Sequence, residues 1–163
     1  MKRGTLAVYP GTFDPITFGH IDIIKRASRI FDRVIVAVAH NPQKKPLFTV
    51  EERVAMVKDS VKGIHAVTVT DFDGLVVDYV RRIGSNVMIR GIRMISDFEY
   101  EFQMALTNRK LNDDIETVFM MPHESYSYVS SKLIKEAASL GADLSAFVPA
   151  KVSTLLRRRL AKR

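Results

Sequence analysis

The sequence predicts an α/β fold of the Rossmann-like, doubly wound type: a five-stranded parallel sheet with helices on both faces. Three observations predict it. Five short runs rich in Val and Ile recur along the chain, continuous rather than alternating, as in strands covered on both faces. Helix-period segments separate them, so successive strands run parallel. A loop punctuated by Gly and Pro, Tyr9-Pro10-Gly11-Thr12-Phe13-Asp14-Pro15-Ile16-Thr17-Phe18-Gly19-His20, joins the first run to the first helix. Sheets of this type hold ligands beyond the carboxyl ends of their strands, where that loop lies.

Each element has its own justification. Leu6–Tyr9 is the first strand, and Gly19–Phe31 the first helix, with Ile21, Ile24, Ala27 and Phe31 on one stripe. Val34–Ala39 is the second strand. Thr49-Val50-Glu51-Glu52 is a capping box that opens Val50–Ser60. Ala66–Thr70 is the third strand, and Asp73 is placed to cap Leu75–Arg82. Val87–Ile89 is the fourth. Ser96-Asp97-Phe98-Glu99 reads as a second capping box, opening a long helix to Leu111. Thr117–Met121 is the fifth strand. Val129–Leu140 follows, closed by Gly141, and Pro149 starts the last helix at about its N1 position. No repeat, low-complexity tract or linker interrupts this order, so residues 1–163 read as one domain.

Composition narrows the function. The chain has 163 residues, 47% of them hydrophobic, enough for one real core. Cysteine is absent, which excludes disulfides, thiol nucleophiles and cysteine-held zinc. Met1-Lys2-Arg3-Gly4 and the short apolar stretch after it do not read as a signal peptide. No apolar run approaches membrane-spanning length. A cytoplasmic enzyme is the expectation. The net charge of +7 is misleading as a nucleic-acid signal. Lys151, Arg157, Arg158, Arg159, Lys162 and Arg163 lie after the last acidic residue, Asp143, and the rest nets about +1. These charges read as a solvated helix end rather than an RNA or membrane surface, and removal of residues 157–163 is expected to leave catalysis nearly intact.

The chemistry concentrates in the loops after the strands. In the first, backbone N–H groups and a helix N-terminus converge on one spot, which attracts anions. The spacing is neither G-x-G-x-x-G nor G-K-[ST], and His20 sits in the first helical turn beside it. In the second, Lys44 and Lys45 lie between prolines; a solvated pair is the plainer reading. In the fourth, Arg90-Gly91-Ile92-Arg93 directly follows a buried strand. Two arginines there suit bidentate phosphate recognition, and Gly91 permits close backbone approach. Pairing of these arginines with Asp97 or Asp71 is the alternative. Glu101 shares a face with Asp97. The last loop crowds Ser125, Tyr126, Ser127, Tyr128, Ser130, Ser131 and Lys132 at a helix entry, which suits a polyanion. His20, His40, His65 and His123 show no metal-ligand spacing.

Thr17-Phe18-Gly19-His20 matches the T-x-G-H motif of the nucleotidyltransferase superfamily, and Val129-Ser130-Ser131-Lys132 resembles its I-S-S-[ST]-x-x-[RK] partner motif. Residues 9–20, Lys44-Lys45-Pro46, Glu51-Glu52-Arg53, Ile89–Arg93 and Asp97–Glu101 together resemble the bacterial phosphopantetheine adenylyltransferase family, in its order and over nearly the whole chain. The resemblance implies the reaction ATP + 4′-phosphopantetheine → dephospho-coenzyme A + pyrophosphate, with Mg²⁺ and a homohexamer. It implies ATP contacts from Thr12, Phe13, His20, Gly91, Ile92, Arg93 and Glu101, and from Tyr126, Ser127, Tyr128, Val129, Ser130, Ser131 and Lys132. It implies phosphopantetheine contacts from Thr12, Lys44, Val76, Arg90 and Asn108, with Met104 beside the last. His20, Lys44 and Arg90 would be catalytic, and no protein metal ligand is implied. Lys132 departs from the family, which commonly has Ser or Thr there. A related nicotinate mononucleotide or cytidylyl enzyme is the nearest alternative, and the Lys44/Arg90 pair favours phosphopantetheine.

Overall fold

The computed structural model describes residues 4–161; Met1 to Arg3, Lys162 and Arg163 lie outside it, and with them the start of the chain and part of its basic end. Five parallel strands form one sheet in the order β3-β2-β1-β4-β5. They are β1 (Leu6–Gly11), β2 (Arg33–Ala39), β3 (Val67–Phe72), β4 (Val87–Gly91) and β5 (Glu116–Met120). The helices are α1 (Phe18–Ile30), α2 (Val50–Ser60), α3 (Val76–Arg82), α4 (Ile95–Leu111), α5 (Ser131–Ser139) and α6 (Ala150–Leu160). The predicted five-stranded doubly wound sheet is therefore present, with each strand extended or shifted by one or two residues.

Alternate residues of the central strands feed two cores. Ala7, Tyr9, Val34, Val36, Val38 and Ile89 point to one side, where Ile24 and Ala27 of α1, Val57 of α2, Ile134 of α5 and Leu156 of α6 cover them. Val8, Ile35, Ala37 and Met88 point to the other, against Val77, Tyr79 and Val80 of α3. The first winding (β1-α1-β2-α2-β3) and the second (β4-α4-β5) depart in opposite directions from the β1/β4 boundary. There β1 and β4 pair only at Ala7–Val87 and Val8–Met88. Beyond those pairs the strands part, and a cleft opens at their carboxyl ends.

Helix starts follow local chemistry, with four corrections. The Thr49 box caps α2 as predicted, with Thr49 Oγ1 accepting from Glu52 and Glu52 accepting from the Thr49 N–H. The Ser96 box does not form. α4 begins at Ile95, so Ser96 lies inside the helix; Met94 is its N-cap with no side-chain cap, and Asp97 in the first turn pairs with Arg93. Asp73 likewise bonds its neighbour Gly74, and Leu75 occupies the cap of α3. α5 starts at Ser131, capped by Ser130; Glu124–Tyr126 forms a separate 3₁₀ turn. Pro149 is the N-cap of α6 rather than its first residue.

Two arginines tie the loops to this frame. Arg53 on α2 is completely buried. Its guanidinium donates to Phe48 O (3.2 Å), Thr12 O (2.7 Å), Ala39 O (2.8 Å) and His40 O (3.3 Å). Burial draws its pKa down, partly opposed by the charges of Asp14 and Glu51. Arg159 on α6 corrects the solvated reading of the basic end. Arg157 and Arg158 are exposed, but Arg159 donates to Leu47 O, pairs with Glu52 and lies over the Phe48 ring. Leu160 packs against the core. Removing residues 157–163 would therefore remove hydrogen bonds and packing as well as charge.

Arg53→Ala should lower stability by about 3 kcal/mol or more in urea unfolding, since each buried carbonyl left unpaired costs ~1–3 kcal/mol. A loss below about 1 kcal/mol would mean that the loops hold themselves.

Candidate active site

The cleft at the β1/β4 boundary has a volume of about 540 Å³. It gathers most of the residues that the sequence nominated: Thr12, Phe13, His20, Lys44, Arg90, Gly91, Arg93, Glu101, Val129, Ser130, Ser131 and Lys132. Others lie outside its lining. Ile92 is adjacent, its N–H bonded to Met120 O. Tyr126 packs on Phe18 and Tyr128 on Phe147. Ser127 donates to His123 O. Val76 packs with the second core. Asn108 is buried on α4, its amide donating to Met88 Sδ at 3.8 Å. His65 is an exposed turn residue.

The first loop is shaped by Phe13. Its φ of 49° is left-handed, uncommon for an aromatic residue. Its ring is buried edge-on between Tyr9 (5.5 Å) and His20 (5.1 Å), which holds the turn in place. Gly91 answers to crowding. A methyl group there would lie 2.8 Å from Ile23 Cδ1 and 3.3 Å from Tyr9 Oη.

His20 is held as a neutral donor. Its Nδ1 accepts the Thr17 backbone N–H at 3.0 Å, closing a reciprocal cap in which Thr17 Oγ1 accepts the His20 N–H. An accepting Nδ1 carries no proton, so the ring proton sits on Nε2. Burial, together with the charges of Arg93 and Arg90, lowers its pKa to about 4. At neutral pH the imidazole can donate one hydrogen bond from Nε2 and carries no charge.

The arginines combine both sequence readings. Arg93 does pair with Asp97, and its Nη1 also donates to Val129 O. Asp71 instead pairs with His40. Arg90 makes a bidentate pair with Glu101 (2.7 and 2.6 Å) and donates from Nη1 to Pro10 O across the gap between β1 and β4. Burial pulls the Arg90 pKa down most strongly, but the bonds and charge of Glu101 outweigh it and the net shift is upward. Three of its five N–H donors are used, which leaves two for a ligand.

Sequence reasoning gave no site role to Asp14, Thr17, Arg53 or Lys135, though the first three lie in its quoted motifs. Asp14 is buried and accepts from Leu47 N, Phe48 N and Lys135 Nζ (2.6 Å), which joins the first loop, the second loop and α5. The signal for Lys135 was its position four residues after Ser131, on the same helix face. Five cations line the cleft (Lys44, Arg90, Arg93, Lys132, Lys135) with two carboxylates, Asp14 and Glu101, both already bonded. The N-termini of α1 and α5 open onto it. The arrangement suits a polyanion. Among the described residues no group of three or more His, Asp or Glu could hold a metal.

His20 should titrate near pH 4 in NMR of the free protein rather than near 6.5. Because the unfolded chain binds this proton more readily, His20 contributes stability above pH 6.5 that is lost as pH falls through about 4. A His20→Ala variant should lose less stability than the parent over that window. An ordinary pKa near 6.5 would overturn the effect assigned to burial and to the two arginines.

Comparisons with known proteins agree with this geometry. The cytidylyltransferase-like family model matches residues 8–137. A phosphopantetheine adenylyltransferase of Caldanaerobacter subterraneus subsp. tengcongensis is 52% identical over 157 residues, 96% of this chain and 98% of that one. One from Alkaliphilus metalliredigens is 56% identical over 149 residues, 91% of this chain and 93% of that one. A solved structure from Vibrio parahaemolyticus, named as a nicotinate-nucleotide adenylyltransferase, superposes with a TM-score of 0.68 at 19% identity, covering 96% of this chain and 93% of that one, and shares the fold. With the cationic cleft at the strand boundary and His20 fixed by Thr17, these likenesses make the chain a member of the phosphopantetheine adenylyltransferase family, within the cytidylyltransferase-like nucleotidyltransferases.

Proposed function

We propose that this chain transfers the adenylyl group of ATP to 4′-phosphopantetheine, releasing pyrophosphate and forming dephospho-coenzyme A, in the cytoplasm. The observation that carries the reading is the convergence of His20, Lys44 and Arg90 on one cleft, in a chain 52% identical to a relative named for this activity.

The acceptor is already an anion, so no base is needed to activate it. Its phosphate oxygen attacks the α-phosphorus as the bond to the β-phosphate oxygen breaks, and the electron pair leaves with pyrophosphate. No covalent enzyme intermediate is involved. Thr12, Lys44 and Arg90 grip the attacking phosphate. The backbone of Thr12 and Phe13 and the N-terminus of α1 face the ATP phosphates. His20 donates from Nε2 to charge developing on the transferring group. Gly91, Ile92, Arg93 and Glu101 contact the nucleotide, with residues 126–132 on its adenine and pyrophosphate sides. Val76 and Asn108 are assigned to the pantetheine arm.

Mg²⁺ belongs to the same reading. Both cleft carboxylates are engaged, so the residues fit an ion carried mainly by substrate phosphates and water. When bound, it supplies charge neutralisation on the triphosphate.

A homohexamer completes the reading. α4 buries only Glu101 and Asn108 over its 17 residues. Ile95 is 89% exposed, and Met94, Phe98, Phe102 and Leu106 are also exposed. An apolar surface of this kind is covered well by another copy of the chain.

Pyrophosphate release should require ATP, magnesium and 4′-phosphopantetheine together; release with nicotinate mononucleotide instead would favour the sister activity. His20→Ala should lower kcat ~10²–10³-fold with little change in ATP affinity. Unchanged turnover would remove His20 from the reaction. Lys44→Ala and Arg90→Ala should weaken phosphopantetheine binding and slow turnover. In sedimentation equilibrium the protein should be six times the 18.4 kDa chain, and Ile95→Asp should shift it toward smaller species. A monomeric parent protein would contradict the assembly.

A further inference from the structure

The loop that carries Lys44 has little structure of its own. Pro42–Lys44 is one 3₁₀ turn, with Asn41 and Lys45 left-handed on either side. Its Leu47–Phe48 end is held from three directions. Asp14 accepts the N–H groups of Leu47 (2.9 Å) and Phe48 (3.0 Å) from the cleft side. Arg53 takes Phe48 O from below. Arg159, on the C-terminal helix and outside the cleft, takes Leu47 O at 3.0 Å. The Arg159 guanidinium also lies 5.1 Å from the Phe48 ring centre and pairs with Glu52, whose other oxygen caps α2.

We propose that Arg159 is a positioning residue for the reaction: it anchors the Leu47–Phe48 end of the loop and so sets where Lys44 presents its ammonium to the acceptor phosphate. The proposal rests on the assignment of Lys44 to that phosphate. Two features favour a positioning role over general stability. Arg159 contacts the loop at a main-chain carbonyl three residues from Lys44, and of the three side chains holding this end it is the one that bonds Leu47 O. Its helix keeps its own core contacts through Val152, Leu156 and Leu160 without it. Arg158, next along the helix, is exposed and makes none of these contacts.

The test is steady-state kinetics of the full chain with ATP, magnesium and 4′-phosphopantetheine for Arg159→Ala, Arg158→Ala, Lys44→Ala and the double variant Arg159→Ala/Lys44→Ala. Arg159→Ala should raise KM for phosphopantetheine roughly 10-fold while KM for ATP stays within about twofold, as expected for a small misplacement of a binding group. Arg158→Ala should match the parent protein. The double variant should raise that KM no further than Lys44→Ala, because Arg159 acts through Lys44. Arg159→Lys should restore part of the affinity by keeping one donor near Leu47 O. An unchanged phosphopantetheine KM in Arg159→Ala, equal rises for both substrates, or multiplying effects in the double variant would overturn the proposal. If Lys44→Ala itself leaves the phosphopantetheine KM unchanged, the assignment of Lys44 is what has failed.

Discussion

Arg53 brings a positive charge into the interior and meets main-chain carbonyls there. An ion of this kind costs several kcal/mol to desolvate, and its hydrogen bonds go to the oxygens of Thr12, Ala39, His40 and Phe48. Those four belong to three chain segments: the first loop, the end of β2 and the end of the lysine loop. One planar fork therefore fixes their spacing. Asp14 and Ser131 extend the same design. Asp14 takes two N–H groups from the lysine loop and Lys135 from α5, and Ser131 donates to Pro15 O. The floor of the cleft is a set of carbonyls and amides cross-linked by side chains.

What this frame supports is a matter of charge. Two phosphate-bearing molecules brought together repel by about 4 kcal/mol for each pair of unit charges 4 Å apart at an effective dielectric of about 20. The cleft meets that repulsion with cations whose placement is already decided. Arg90 is aimed by Glu101 and Pro10 O, and Arg93 by Asp97 and Val129 O. Binding then need not order them. His20 has another task. In the proposed reaction it is neutral with its proton on Nε2 and would supply a hydrogen bond and no net charge, so its effect would depend on where charge gathers during transfer rather than on drawing anions in.

Much of this was legible in the sequence because it depends on period and punctuation. The Val- and Ile-rich runs found the five strands, and the loops after β1, β2, β4 and β5 held most of the cleft residues. What the sequence hid depends on competition between partners. Ser96 to Glu99 has the composition of a capping box, but the helix starts two residues earlier, with Met94 as N-cap and no side-chain cap, and Asp97 bonds Arg93. Arg53 follows two acids in the first turn of a helix, and no local pattern announces that its head reaches buried carbonyls. The basic end looked uniform, and only the packing of α6 singles Arg159 out from Arg157 and Arg158. Val76 and Asn108 were nominated by family resemblance, with no pattern of their own to place them near the cleft.

The proposed reaction is one displacement at one phosphorus, with the enzyme aligning the partners and bonding covalently to neither. The stereochemical course at the α-phosphorus tests this most directly, using ATP made chiral at that centre by sulfur substitution and analysing the dephospho-coenzyme A analogue formed. Inversion of configuration is the predicted result. Retention would require two successive displacements, and hence an adenylylated side chain, and would contradict the account.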